Sequence, residues 1–344
     1  MAGIFLDHFA SPRVGEVAGI IGWSCLQLFL ALSGFLTTMV LLRDRELSNP
    51  TLAGRWRAAL NFYARRSLRI FPIYYLVITS ALVFDVWPAR QTFAWLATYT
   101  ANLYICFTGR WNALGDFAHL WSMSVQEQFY VVWGAVVLLA PRRWLAPVSG
   151  LMVAAGPIYR LTAALAGLHP AAISFFTLAC MDALGLGALM ALAQPHRSSR
   201  SPSEADRRRF MLFLVVLIAA LGLFVQTADG KMEIVGFNLI AGIVACGIIE
   251  GAIRGFPQPL GRWLESAPLV FLGRISYGLF VYHLFMPKLL KPIIDALPIE
   301  WADGGFRALL VYSLATIAVA ALSWHWIEQP INLWKARFRS TPSS

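Results

Sequence analysis

Residues 20–42 read IIGWSCLQLFLALSGFLTTMVLL, without one charged side chain, and this run decides the fold class. A helix of this length crosses a hydrocarbon core about 30 Å thick. Similar apolar blocks recur along the chain. They occupy residues 70–86, 119–140, 145–167, 172–193, 211–227, 233–253, 269–287 and 305–327, with a much shorter block at 1–10. The pattern predicts an all-α polytopic membrane protein with about ten transmembrane helices around a polar cavity, the first helix being truncated in this chain.

The composition also indicates that lipid is the solvent. Of the 344 residues, 58% are hydrophobic and 13% are charged, whereas soluble domains carry about 25% charged residues. We expect a single transmembrane domain over residues 1–340, a short cytoplasmic tail end at 341–344 and no cleavable signal peptide. The four cysteines lie in or beside apolar blocks without CxxC spacing, which indicates packing residues rather than metal ligands or a disulfide framework.

The distribution of basic residues predicts the orientation in the membrane. The net charge is +10, and 19 of the 28 Lys and Arg residues fall in five of the connecting or terminal segments. These are residues 43–69, 141–144, 194–210, 254–268 and 328–344. The positive-inside rule places them in the cytoplasm, together with both termini, in a multi-pass protein of the inner membrane. Basic residues divided among loops in this way do not predict a nucleic-acid partner. Segment 92–107 is predicted to lie in, or dip into, the outer face.

Polar side chains at membrane depth are costly, so they mark candidate sites. The richest stretch is 119–130, HLWSMSVQEQFY. On a helix, four of its side chains share one face; they are His119, Ser122, Gln126 and Tyr130. Glu127 lies about 100° away from that face. Hydrogen bonding between helices is the structural alternative, but six polar groups within ten residues favour a site.

A second candidate is the basic stretch 62–72, FYARRSLRIFP. Arg66 and Arg69 are three residues apart, so they project from one face of a helix. Arginine matches phosphate oxygens with two parallel hydrogen bonds, and a coenzyme A thioester is a phosphorylated ligand of the cytoplasm. Contact with anionic lipid headgroups explains the same cluster equally well.

Other polar residues complete the predicted cavity. His8, at the end of the shortened first block, can take up a proton near neutral pH and so activate a hydroxyl nucleophile, although a surface histidine fits as well. Ser276 and His283 lie two turns apart on one helical face, and Asp182 is a carboxylate within an apolar block. Each alone is more often a structural group; together they line a plausible cavity. The chain contains no HExxH, CxxC or Walker pattern, so no metal site is predicted.

Five stretches, in order, resemble the acyltransferase-3 family of integral membrane O-acyltransferases, and together they cover almost the whole chain. They are residues 28–36, 62–72, 119–130, 273–283 and 327–330. The third is similar to the family's HLWSLSVEEQFY and is the most specific of the five. In this chain Gln126 stands where the family has the first glutamate, and glutamine cannot transfer a proton. Glu127 would then have to substitute as a catalytic carboxylate.

The resemblance implies an enzyme that moves an acyl group, usually acetyl, from cytoplasmic acyl-CoA to a hydroxyl of a cell-surface polysaccharide or other glycoside. Acyl-CoA would be a co-substrate, with no bound cofactor. The resemblance also places the phosphates of acyl-CoA near Arg66 and Arg69, makes His8 the general base, and gives Ser122 and Tyr130 positions around the thioester. The expected partners are the lipid bilayer, acyl-CoA and a saccharide acceptor.

Two other functions fit parts of the sequence. A transporter or lipid flippase would also contain a polar cavity, although the sequence lacks the paired interrupted helices that many transporters show. An inactive, truncated family member would fit Gln126 and the short first block. The arginine or lysine that the family places before its histidine would fall ahead of Met1.

Overall fold

The computed structural model describes residues 3, 5, 15–194, 203–227, 230–296 and 305–338. This part of the chain is almost entirely helical and contains no strand. The α-helices in chain order are α1 Gly15–Leu47, α2 Leu52–Val83, α3 Ala89–Ala97, α4 Ala101–Thr108, α5 Trp121–Leu139, α6 Leu145–Leu165, α7 Pro170–Phe175, α8 Met181–Ala193, α9 Glu204–Thr227, α10 Gly230–Arg254, α11 Leu260–Leu264, α12 Ala267–Arg274, α13 Ser276–Tyr282, α14 Met286–Asp295, α15 Phe306–Ser323 and α16 Gln329–Leu333. Short 3₁₀ segments, among them Trp111–Leu120 and Trp334–Phe338, connect or extend them.

Six of the described helices are long and apolar enough to cross a membrane. They are Val17–Leu47, Leu52–Val83, Arg142–Leu165, Glu204–Thr227, Val235–Arg254 and Phe306–Leu333. The pair Ala267–Arg274 and Ser276–Asp295, bent by 58°, makes a seventh if it is one span. The all-helical membrane architecture is therefore confirmed, whereas the expected count of about ten spans is not.

The shortfall has a physical reason in two of the predicted blocks. The block at 119–140 forms α5, whose 19 residues span about 28 Å. The first turns of this helix carry polar side chains of the predicted face, among them Ser122, Gln126 and Tyr130. The block at 172–193 yields an apolar helical segment of 17 residues, Thr177–Ala193, which is shorter than the roughly 20 residues of a typical span. The short block at 1–10 lies almost wholly outside the described residues. Segment 92–107 falls on α3 and α4, neither of which is long enough to span.

Contacts at one end of the bundle bring three of the predicted basic segments together. Arg45, at the end of α1, donates a hydrogen bond to the carbonyl of Ala140, just after α5, at 2.7 Å. Arg65 of α2 pairs with Asp44 and donates to the carbonyl of Phe338. Helices α1 and α5 therefore run parallel, with their carboxyl ends at the same end of the bundle. We call this end, where Arg45 and Arg65 make their contacts, the basic end. That the basic end faces the cytoplasm stays a prediction.

Helix α1 makes its closest approach to α8 at two glycines. A Cβ atom at Gly34 would lie 2.1 Å from the carbonyl oxygen of Leu184, and one at Gly187 would lie 2.0 Å from that of Ala31. Both positions therefore require glycine. Small residues of this kind let membrane helices pack backbone against backbone. The contact holds α1 against α8 in the middle of the apolar core, to which α1, α2, α5 and α8 all contribute buried side chains.

Candidate active site

A cavity of about 330 Å³ lies between α1, α2, α5 and α13. We call it the arginine cavity. Six of the predicted site residues line it, and they are Arg66, Arg69, Gln126, Glu127, Tyr130 and Ser276. The opposite wall comes from α1 and is mainly apolar, with Leu28, Phe29 and Leu32 among its side chains. The fold thus brings the basic stretch and the polar stretch to one place, although more than fifty residues separate them in the sequence.

One chain of contacts links the basic and polar stretches. The guanidinium carbon of Arg66 lies 3.4 Å from the centre of the Tyr130 ring, a cation–π contact. The Tyr130 hydroxyl donates to Oε1 of Gln126 at 2.9 Å, one helical turn back on α5. A cation–π contact in a desolvated site is worth about 2 kcal/mol. It fixes the arginine over the cavity and the tyrosine beside it.

Several polar atoms of this cavity have no hydrogen-bond partner among the described residues. They are Nε of Arg66, Nε2 of Gln126 and Oε1 of Glu127, and each of these atoms is buried. Buried polar atoms in native proteins are nearly always satisfied by protein, water or ligand. Two donors and one acceptor therefore remain for a polar occupant, which is what a binding site requires.

Lys335 adds a third cation that the sequence reasoning treated only as a marker of orientation. It lies in the segment Trp334–Phe338 at the basic end, which Arg65 ties to α2. Burial and the neighbouring positive charges of Arg69 and Arg66 lower the pKa of Lys335 to about 8. No local motif marks this residue, because only the tertiary fold brings it within reach of α2.

A second cavity of about 420 Å³ lies next to the first. We call it the tryptophan cavity. Its walls include Trp23, Trp111, Trp121, Phe175, His119, Ser122 and Phe280. The predicted polar face of α5 is thus divided between the two cavities, because Gln126 and Tyr130 line the arginine cavity. Phe280 lines both.

The structure places His283 and Asp182 in the packing around the cavities and not on their walls. The His283 ring is stacked on Phe5 with centroids 5.6 Å apart, and its Nδ1 lies 2.7 Å from the carbonyl oxygen of Phe280. Asp182 forms an ion pair with Arg160 at 2.7 Å, and both side chains are almost wholly buried, 0% and 2% exposed. His8, the predicted general base, lies outside the described residues.

Arg160 was missed by the sequence reasoning, although the sequence contains a signal for it. It is an arginine in the middle of an apolar block, and Asp182 is a carboxylate inside another. Such charges within a membrane protein pair with each other. Arg160 also donates to the carbonyls of Ala179 and Val235, so it joins α6, α8 and α10.

Comparisons with known proteins agree with this architecture. The model of the acyltransferase domain family matches residues 2–326. A putative peptidoglycan O-acetyltransferase of Bacillus subtilis is 25% identical over 338 residues, covering 91% of this chain and 50% of the relative. A peptidoglycan O-acetyltransferase of Listeria monocytogenes is 26% identical over 337 residues, with 91% and 51% covered. An O-acetyltransferase of Staphylococcus aureus is 23% identical over 367 residues, with 96% and 55% covered.

The chain therefore belongs to the acyltransferase family defined by that domain, as the five motif stretches predicted. It spans about half the length of the curated relatives that it matches. No solved structure matches it significantly.

Proposed function

We propose that the protein is a membrane O-acyltransferase that moves an acetyl group from acetyl-CoA to a hydroxyl of a cell-surface polysaccharide. One observation carries the proposal: the arginine cavity brings Arg66 and Arg69 together with Glu127 and with polar atoms that lack a protein partner. The family membership and the printed names of the relatives, peptidoglycan O-acetyltransferases, support the reaction class and a saccharide acceptor.

The donor enters from the basic end in this proposal. Coenzyme A carries several phosphates, and Arg66, Arg69 and Lys335 provide three cations near the same end of the bundle. Charge-assisted hydrogen bonds to phosphate are the strong ones in proteins. The acyl end then reaches along the apolar wall of α1 toward Phe280.

The reaction needs one bond exchange and one proton transfer. The acceptor hydroxyl oxygen attacks the thioester carbonyl carbon, a C–O bond forms, and the C–S bond breaks. The hydroxyl proton passes to a base, and the coenzyme A sulfur leaves with a proton. His8 is the base that the resemblance implies, and Glu127 is the carboxylate on the wall of the arginine cavity. A positioned base contributes about 10²–10⁴ to such a rate.

Replacing either candidate base tests this chemistry. We expect Glu127→Gln and His8→Ala each to lower acetyl transfer at least about 100-fold, an effect larger than any accompanying change in acetyl-CoA affinity. Transfer of radiolabelled acetyl to a glycan, in proteoliposomes, measures the rate, and calorimetry measures the affinity. Glu265→Gln is the matched control, because its exposed carboxylate does not line the cavity. If a variant keeps the wild-type rate of acetyl transfer, the residue replaced in it is not the base.

The pH dependence of donor binding tests the role of Lys335. With a pKa of about 8, Lys335 is cationic below that pH and neutral above it. We expect acetyl-CoA affinity to fall up to roughly tenfold between pH 7 and pH 9, because one charge-assisted contact is lost. Lys335→Arg should remove this fall, since arginine stays charged.

The control for this measurement is Lys291→Arg, whose ammonium group is exposed and paired with Asp295. Its pH profile should match that of the wild type. An unchanged profile in Lys335→Arg would exclude Lys335 from the donor site.

The transporter alternative makes a different prediction for the same proteoliposomes. A transporter moves an intact solute across the bilayer without acyl transfer. Solute flux without acetyl transfer would therefore replace the proposed function, and an inactive family member would show neither.

A further inference from the structure

The Glu127 carboxyl interacts electrostatically with four tyrosines, and one of them differs from the rest. Three of the hydroxyls donate hydrogen bonds to backbone carbonyls. These bonds run from Tyr74 to Leu96 at 2.8 Å, from Tyr75 to Ala97 at 2.8 Å and from Tyr277 to Ile70 at 2.6 Å. The fourth hydroxyl, on Tyr99, is buried and has no hydrogen-bond partner among the described residues. Buried polar atoms in native proteins are nearly always satisfied, so this hydroxyl needs an explanation of its own.

The backbone and ring of Tyr99, between α3 and α4, are held firmly in place. Its φ is 53°, in the left-handed region that residues other than glycine rarely adopt. The ring is stacked on Tyr74 with centroids 4.4 Å apart and on Phe71 at 5.7 Å. The Tyr99 carbonyl accepts a hydrogen bond at 2.8 Å from Nε2 of Gln128, the residue after Glu127. A strained backbone persists only where its surroundings fix it, and such positions cluster at active sites.

Glu127 contributes a second buried polar atom without a partner. Its Oε1 has no hydrogen-bond donor within the part of the chain that the structure describes, and its side chain lines the arginine cavity. The Tyr99 hydroxyl is a suitable donor, since burial raises its pKa. The neighbouring groups of Tyr74, Tyr277 and Glu127 raise that pKa further, so the hydroxyl stays protonated at neutral pH. Buried polar groups that do not bond directly are commonly joined by one ordered water.

We infer that Tyr99 is a positioning residue for Glu127, with its hydroxyl donating to a bridging water that in turn donates to Oε1 of the carboxylate. This inference rests on the proposed function, in which Glu127 is a candidate base. The contact fixes the orientation of the carboxylate and leaves its second oxygen for the reacting hydroxyl. Gln128 holds the Tyr99 carbonyl, so Tyr99 stays in register with α5. If the ring served packing alone, phenylalanine would fill the same space without a hydroxyl to satisfy.

The kinetics of Tyr99→Phe in proteoliposomes test the positioning role. We expect kcat for acetyl transfer to fall about 10- to 100-fold, because a contact to a charged group is lost, while KM for acetyl-CoA stays close to the wild-type value. The melting temperature should not fall, because the variant loses no direct hydrogen bond to protein. Tyr75→Phe is the matched control. It removes a hydroxyl of the same cluster that is bonded to Ala97, so it should lower the melting temperature and keep kcat.

Infrared spectroscopy reads the Glu127 carboxyl without any turnover. Glu127→Gln assigns the carboxyl band by its loss. Tyr99→Phe should shift that band, since the bridging water loses its anchor, whereas Tyr75→Phe should leave the band unshifted. Either an unshifted band or a wild-type kcat in Tyr99→Phe would overturn the inference. A wild type that transfers no acetyl group, but whose band still shifts in Tyr99→Phe, would contradict the proposed function and support the contact between Tyr99 and Glu127.

Discussion

The double variant Arg66→Ala/Arg69→Ala is expected to lose acetyl-CoA binding almost completely. Each arginine offers a charge-assisted contact worth about 1.5–3 kcal/mol. Losing both costs roughly 3–6 kcal/mol, or about 100- to 10,000-fold in the dissociation constant. Isothermal calorimetry on purified protein in detergent measures this constant directly. The effect is the largest that we expect on function, because both side chains line the arginine cavity.

The matched control is Arg55→Ala/Arg57→Ala. It removes the same charge from the same helix, α2, but neither side chain lines the cavity. If the basic stretch only anchored α2 to anionic lipid, the two double variants would bind acetyl-CoA equally well. Wild-type affinity in Arg66→Ala/Arg69→Ala would therefore move the donor site elsewhere and restore the lipid-anchor interpretation.

Asp182→Ala is expected to destabilise the protein by about 3–5 kcal/mol, because it leaves the charge of Arg160 buried without its partner. The ion pair is almost fully shielded from solvent, so neither salt nor water compensates. The free energy of unfolding in mixed micelles is the measurement. The double variant Arg160→Met/Asp182→Leu should recover much of the loss, since apolar side chains replace a buried pair at little cost.

An exposed ion pair provides the control for this prediction. Arg90 and Asp85 are paired at 2.7 Å with both side chains about two-thirds exposed, and Arg90→Ala should cost about 1 kcal/mol or less. Because Asp182 lines neither the arginine nor the tryptophan cavity, folded Asp182→Ala should keep its acetyl-CoA affinity. A variant as stable as the wild type would show that the pair does not hold α6 to α8.

That the chain is a helical membrane protein could be predicted from the sequence, because the length of an apolar run can be read from consecutive residues. Residues 20–42 alone define a span, and α1 contains all of them. The number of spans could not be predicted equally well. In α5 the polar residues that line the cavities also lower its apolar character, and α8 has only 13 residues. Block length therefore does not separate buried central helices from those that face lipid.

The grouping of residues in the candidate site was predictable where those residues repeat at helical spacing. Arg66 with Arg69, and Gln126 with Tyr130, share faces that converge on one cavity. The division of the predicted polar face between two cavities was not predictable, because it depends on Phe280 of α13, a helix distant in the sequence. Lys335 was missed for the same reason. Asp182 was assigned to the cavity because an intramembrane carboxylate suggests function, but Arg160 satisfies it within the packing.

Helix α1 lines both cavities, and glycine contacts hold it against α8. A ligand that shifts α1 in one cavity would therefore also change the shape of the other cavity, and the binding equilibria of the two cavities would share a coupling free energy. Thermodynamic reciprocity would then require a ligand in either cavity to change the affinity of the other cavity by the same factor.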